Sequence, residues 1–132
     1  MGAARFARVS LILGALGLIG FGAALLVRPS LLAVVGVELT RPAAATEIRA
    51  FYGGLELGLA AFFIAATRHS AWLRPALFAQ AVALGGIVAA RLVGIMVDGS
   101  AEPMILGFAA VEGAGALLGF IALRRLGPER VD

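Results

Sequence analysis

Four ionisable side chains interrupt the long apolar runs of this sequence, and these are the residues best able to carry chemistry. They are Arg49, Glu56, Arg91 and Glu112. A carboxylate can bind a polar group or act as a general acid or base, and a guanidinium can hold two carboxylates at once. Because an isolated charge is costly in apolar surroundings, we expect the four to face the protein interior and to pair there.

The distances of three of these charges from the ends of their apolar runs predict that they meet. Glu56 lies nine residues after Glu47, and Glu112 lies nine residues after Pro103. Each is therefore about 13 Å along its helix. Arg91 lies about 10 Å before the end of its own run. If consecutive helices alternate in direction, the three charges lie at nearly the same level.

Two hypotheses account for this cluster. It is either a structural lock, in which Arg91 bridges Glu56 and Glu112 while Arg49 balances the second acid, or a binding pocket for a lipophilic or amphipathic ligand such as a lipid or quinone. Tyr52 would then supply a hydrogen bond. The alternative is a small membrane enzyme that uses Glu56 or Glu112 as acid or base on a lipophilic substrate. Binding is favoured over catalysis, and enzymatic activity stays open. The candidate residues are Arg49, Tyr52, Glu56, Arg91, Asp98 and Glu112.

The composition excludes several other kinds of site. The chain has no cysteine and one histidine, His69, so we predict no metal site and no cofactor. Its net charge of +3 comes from arginine without lysine. These arginines lie at the ends of apolar runs, which is typical of membrane-interface anchors rather than of nucleic-acid binding.

The apolar runs that must position these residues are long enough to be transmembrane helices. The chain has 132 residues, of which 61% are apolar and 14% charged, whereas a soluble domain is about half apolar and about a quarter charged. Four runs of roughly 20 residues, the length that crosses a bilayer, span 9–27, 48–67, 75–97 and 104–123. The sequence predicts an all-α, four-transmembrane-helix bundle that forms a single domain over residues 1–132.

The distribution of arginine predicts the orientation. With the N-terminus inside, seven arginines, Arg130 among them, are cytoplasmic and three lie on the other side. Both termini are therefore predicted to be cytoplasmic. Arginine without lysine, beside abundant alanine and glycine, indicates a GC-rich bacterial genome and hence a bacterial inner membrane. The apolar segment 29–37 is too short to cross, so it is predicted to lie on the outer surface, with a re-entrant segment as the alternative.

Glycine pairs within the predicted helices are typical of close helix packing. Gly54 and Gly58 lie four residues apart on the face of the second helix away from Glu56. They could pack against another helix of the chain or form a homo-oligomer contact. The pairs Gly53–Gly54 and Gly85–Gly86 are likewise predicted to be packing sites.

Several of these motifs together resemble a known family. The stretch 47–58, EIRAFYGGLELG, is followed by RLVG at 91–94, Asp98-Gly99 and Glu112. This combination resembles small bacterial four-helix integral membrane proteins that are catalogued as a domain of unknown function. The resemblance covers essentially the whole chain. It implies the four-helix architecture and marks the charged positions as family features, but it implies no reaction.

Overall fold

The computed structural model describes residues 2–127, and four long helices make up most of them. The helices are α1 (Ala3–Val27), α2 (Pro42–Ala66), α3 (Ser70–Asp98) and α4 (Pro103–Arg125). Each is long and apolar enough to cross a membrane. The predicted all-α fold with four apolar helices is thereby confirmed. Arg130, which entered the orientation argument, lies outside the described residues.

A short 3-10 helix, Pro29–Val35, joins α1 to α2. It ends at Gly36, whose φ of 82° places it in the left-handed region that glycine adopts without strain. At about 2 Å of rise per residue, this helix is far too short to cross a bilayer. Segment 29–37 therefore begins as a compact helical turn.

The helices extend beyond the limits predicted from hydropathy. Helix α2 begins at Pro42 instead of residue 48, and proline fits the first helical position because its missing N–H has no intrahelical partner there. Helix α3 begins at Ser70, so that Pro75 lies inside it. Apolar runs mark the part of a helix that lipid can surround, whereas backbone hydrogen bonding continues to the next cap.

Helix α2 contains a π-helical turn over Arg49–Gly54, and this turn packs closely against α1. A Cβ atom built on Gly53 would lie 3.0 Å from the Cβ and 3.1 Å from the Cα of Leu26. A Cβ on Gly22 would lie 3.2 Å from the carbonyl oxygen of Gly53. The two backbones thus approach almost to contact, and the position of α2 depends on this approach.

The Gly54 and Gly58 pair of α2 faces away from the other helices. Gly54 and Gly58 are both exposed. A Cβ on Gly58 would meet nothing within 4 Å, and one on Gly54 would meet only the carbonyl of Arg49 in the same helix. The alternative in which this pair packs within the chain is therefore wrong, because Gly53 occupies the contact side. The homo-oligomer contact stays a prediction.

The buried core lies toward the end of the molecule where α1 begins. The guanidinium carbon of Arg125 is 4.5 Å from the centre of the Phe6 ring, so α4 ends there too. The core residues are mostly alanine and leucine, and they come from all four helices: Ala7, Leu11, Ala15 and Leu18; Ala60, Phe63 and Ala66; Leu73, Ala76, Leu77 and Leu84; and Ala122. At the opposite end, Leu25 and Leu32 are buried but lie outside this core cluster.

Three arginines bind carbonyl groups at the C-terminal ends of neighbouring helices or just beyond them. Helix C-termini leave carbonyls without intrahelical partners, and their partial negative charge favours a cation. The Nε atom of Arg8 donates to the Thr67 carbonyl at 3.1 Å, the Nε atom of Arg49 donates to the Leu26 carbonyl at 3.0 Å, and Arg74 donates to the Gly127 carbonyl. These side chains therefore cap α1, α2 and α4.

The close contact at Gly53 predicts a position-specific loss of stability. Gly53→Val should lower the free energy of unfolding by about 1–3 kcal/mol, since the added side chain would push the α1 backbone away. Gly58→Val is the matched control, because it lies on the same helix with open space around it. Denaturant titrations in detergent would measure both. Equal losses in the two variants would contradict the packing role of Gly53.

Candidate functional site

Helices α3 and α4 pack closely because glycines of α4 face α3. A Cβ on Gly119 would lie 3.2 Å from the amide nitrogen of Ala81 and 3.3 Å from the carbonyl oxygen of Leu77. A Cβ on Gly115 would lie 2.6 Å from Leu84 Cδ1. Because the atoms beside Gly119 include the backbone of α3, a larger side chain there would hold the helices apart, and Gly119 therefore sets the distance between α3 and α4.

This helix pair places Arg91 beside Glu112. The Nη2 atom of Arg91 donates to Glu112 Oε1 at 2.6 Å, and its Nε atom donates to Oε2 at 3.0 Å. The two side chains are 23% and 21% exposed. A two-point contact between a guanidinium and a carboxylate is among the stronger side-chain interactions. Of the described acidic side chains, Glu112 is the one that forms an ion pair with Arg91.

One aromatic ring lies next to this ion pair and contacts a second ring. The guanidinium carbon of Arg91 is 5.5 Å from the centre of the Phe108 ring, within the range of a cation–π interaction. The Phe108 ring also meets Phe21 of α1 edge to face, with 5.9 Å between ring centres. The ion pair of α3 and α4 is thereby connected to α1 through aromatic contacts.

A cavity of about 520 Å³ lies between α1, α3 and α4, next to this aromatic pair. We call it the central cavity. Its walls are mostly apolar, and three polar side chains take part in them: Glu56, Gln80 and Glu112. The apolar and glycine residues of the wall are Leu13, Gly14, Gly17, Leu18, Phe21, Leu84, Ile87, Phe108, Val111, Ala114, Gly115 and Leu118.

Glu56 reaches the central cavity from α2. It packs directly on α1, since a Cβ on Gly22 would lie 3.0 Å from the Cβ of Glu56. Its Oε2 atom is buried and has no hydrogen-bond partner among the described residues. Glu56 and Glu112 thus line the same cavity, but the structure does not bridge them through Arg91 as the lock hypothesis predicts.

Gln80 is a further polar residue of the wall, and it is not among the residues predicted from the sequence. It is fully buried and connects three helices. Its Nε2 atom donates to Ser10 Oγ on α1 at 3.2 Å and to the Gly115 carbonyl on α4 at 2.9 Å, whereas its Oε1 atom has no partner. A single amide inside an otherwise apolar run was the pattern that could have revealed it.

The other three predicted residues lie elsewhere. Arg49 lies at the start of the π turn, donates to the Leu26 carbonyl and, among the described residues, forms no ion pair with Glu56, so it does not balance the second acid. Tyr52 is 44% exposed and lies in the π turn, where the rotation of 100° per residue assumed for an α-helix does not apply. Asp98 is exposed at the end of α3, near Gly94. These three residues are not among the described residues that form the wall of the central cavity.

The described part of the chain contains no group of three His, Asp or Glu side chains that could hold a metal ion. The fold is that of an all-α protein with four helices that are long and apolar enough to span a membrane, and the central cavity lies between them. The chain belongs to the family described as Domain of unknown function (DUF4345), whose model matches residues 6–123. No curated protein and no solved structure matches it.

The geometry of the Arg91–Glu112 pair predicts energetic coupling between the two residues. Arg91→Met should lower the free energy of unfolding by about 2 kcal/mol, because it leaves a half-buried carboxylate without its partner. In the double variant Arg91→Met/Glu112→Leu, the total loss should be smaller than the sum of the single losses by about 1–2 kcal/mol. Denaturant titrations of all four proteins would measure this coupling, and strictly additive losses would contradict it.

Proposed function

We propose that this protein is a multi-pass membrane protein that binds a lipophilic or amphipathic ligand in the central cavity. The apolar tail of the ligand lies along the walls, and its polar end lies near Glu56 and Glu112. The observation that carries the proposal is a mostly apolar cavity whose wall contains two buried acceptor atoms without partners, Glu56 Oε2 and Gln80 Oε1. A lipid whose head group carries a hydrogen-bond donor suits both the shape of the cavity and these acceptors, whereas a quinone suits the shape alone.

The size and lining of the central cavity support binding. Small-molecule pockets have volumes of about 300–1,000 Å³ and are mostly apolar, with a few polar groups at fixed positions. The central cavity, at about 520 Å³, lies within that range. A second groove, on the outer side of α3 and α4, has only apolar and glycine residues in its wall and therefore offers no polar side chain for recognition.

A purely structural ion-pair network explains less of the geometry. It accounts for Arg91 and Glu112, which satisfy each other. It leaves Glu56 Oε2 and Gln80 Oε1 buried without a donor, whereas most buried polar atoms in proteins have one. A ligand that donates hydrogen bonds in the central cavity would supply what the chain does not.

We further propose that the whole chain, residues 1–132, forms one domain in a bacterial inner membrane with both termini in the cytoplasm. The excess of arginine on the side of the termini supports this orientation. In this arrangement the buried core lies toward the cytoplasm, and the Arg91–Glu112 pair lies in the outer half of the bilayer. A ligand would then enter from the outer leaflet.

Filling the central cavity should abolish ligand retention. Gly17 lies in its wall, and a Cβ there would meet nothing within 4 Å, so Gly17→Leu would place its side chain in open space. Native mass spectrometry of the full chain purified in nanodiscs should detect a bound small molecule in the unaltered protein. That adduct should be lost in Gly17→Leu.

Gly20→Leu is the matched control for this experiment. Gly20 is also an exposed glycine of α1 with open space around it, but it lies outside the central cavity. Both substitutions raise helix propensity equally, so a difference between them reports on the cavity. Absence of any adduct from the unaltered protein, or equal retention by both variants, would contradict ligand binding.

The proposed orientation predicts which loops an external reagent reaches. The natural chain has no cysteine, so single cysteines can be introduced at His69, between α2 and α3, and at Ala101, between α3 and α4. In intact spheroplasts, a membrane-impermeant maleimide should label Ala101→Cys at once and His69→Cys only after permeabilisation. The reverse order would contradict the orientation, and equal labelling would contradict the membrane-spanning arrangement.

A further inference from the structure

The two unsatisfied polar atoms in the wall of the central cavity are of the same chemical kind. Glu56 Oε2 is a carboxyl oxygen and Gln80 Oε1 is an amide oxygen, and both are buried without a hydrogen-bond partner. No other buried side-chain nitrogen or oxygen of residues 2–127 lacks a partner. What this part of the protein requires from a ligand is therefore a donor.

The orientation of the Gln80 amide is fixed by its contacts. A backbone carbonyl accepts hydrogen bonds and cannot donate them, so the group that faces the Gly115 carbonyl at 2.9 Å must be the NH₂ of Gln80. Its second bond, to Ser10 Oγ, uses the other hydrogen. Gly14 leaves room for this amide, since a Cβ there would lie 3.1–3.3 Å from three of its atoms. Gln80 therefore has no free donor to offer.

The charges around the central cavity do not balance. Arg91 compensates Glu112 through two hydrogen bonds. Within residues 2–127, Glu56 has no ion-pair partner, and Arg49, the arginine nearest to it on α2, donates to the Leu26 carbonyl. No arginine or histidine is among the described residues of the wall. When Glu56 is ionised, the cavity thus presents one carboxylate without a counter-charge.

We propose, building on the function proposed above, that the ligand of the central cavity is a cationic amphiphile, an alkyl or aryl amine whose ammonium group binds Glu56. An ammonium compensates the charge of ionised Glu56 and has up to three N–H donors. A hydrogen bond to an ionised group is stronger than one between neutral groups. While Glu56 is ionised, a ligand with only acceptors, such as a quinone or a carboxylate, finds no unused donor on the described polar side chains of the wall.

A series of ligands with one tail and three head groups tests this proposal. The probes are dodecylammonium, dodecanol and dodecanoate, measured by equilibrium binding to the full chain in phosphatidylcholine nanodiscs at neutral pH, with empty nanodiscs subtracted. We expect saturable binding of dodecylammonium that is at least about tenfold tighter than that of the other two, because a hydrogen bond to a charged group contributes about 1.5–3 kcal/mol.

Two variants locate the binding of the ammonium probe. Glu56→Gln keeps the size of the side chain and removes its charge, so dodecylammonium should bind at least about tenfold more weakly. Glu47→Gln removes an exposed carboxylate of the same helix that lies outside the central cavity, and it should leave affinity unchanged. Thermal unfolding of both variants checks that they are folded. The comparison of the three head groups is made on the unaltered protein, so it stays valid if either variant fails to fold.

The outcomes separate this inference from the proposed function. Dodecanol or dodecanoate could bind saturably with an affinity equal to or higher than that of dodecylammonium, and Gly17→Leu could abolish this binding. That result would overturn the cationic ligand and would support the cavity as a binding site. An unchanged ammonium affinity in folded Glu56→Gln would also overturn it. Absence of saturable binding for all three probes, together with no co-purifying molecule, would overturn both proposals.

Discussion

The need of each buried polar group for a partner is the constraint that organises this molecule. Where the surroundings are as apolar as the helices themselves, apolar contact alone does little to fix how helices meet. Polar contacts between helices supply that information here. Gln80 joins α1, α3 and α4, and Arg91 joins α3 to Glu112 of α4. Arg8 and Arg49 bind carbonyls at the ends of α2 and α1. These contacts set the relative positions of the helices.

Small residues decide where the helices come together and where they separate. Ala7, Ala76 and Ala122 are fully buried, and they allow close packing at the end where α1 begins. Farther along, the contact between Gly22 and Gly53 holds α2 against α1 and thereby brings Glu56 to the wall of the central cavity. The position of that carboxylate is therefore determined by a backbone contact and not by a partner for its charge.

Hydropathy alone predicts the four helices, since about twenty consecutive apolar residues are typical of a membrane-spanning helix. The ends of the helices are predicted less well, because backbone hydrogen bonding continues past the apolar run. Counting residues from helix ends places Arg91 level with Glu112, and the structure brings them into contact. The same counting could not place Tyr52, because a π turn changes the rotation between residues. Nor could it reveal Gln80, whose partner on α4 is the backbone carbonyl of Gly115, a group that every residue has.

Two buried acceptor atoms in the wall of the central cavity, Glu56 Oε2 and Gln80 Oε1, have no donor. A buried acceptor without a donor costs about 1–3 kcal/mol, so an apolar side chain in place of Glu56 would serve stability better. Elsewhere in the described chain this cost is avoided, and Arg91 even uses two donors on one carboxylate. Departures from a local rule are expected where function requires them. Glu56 and Gln80 depart from it in the wall of the same cavity. Gln80 joins three helices through its NH₂ group, but its oxygen, like one oxygen of Glu56, lacks a donor.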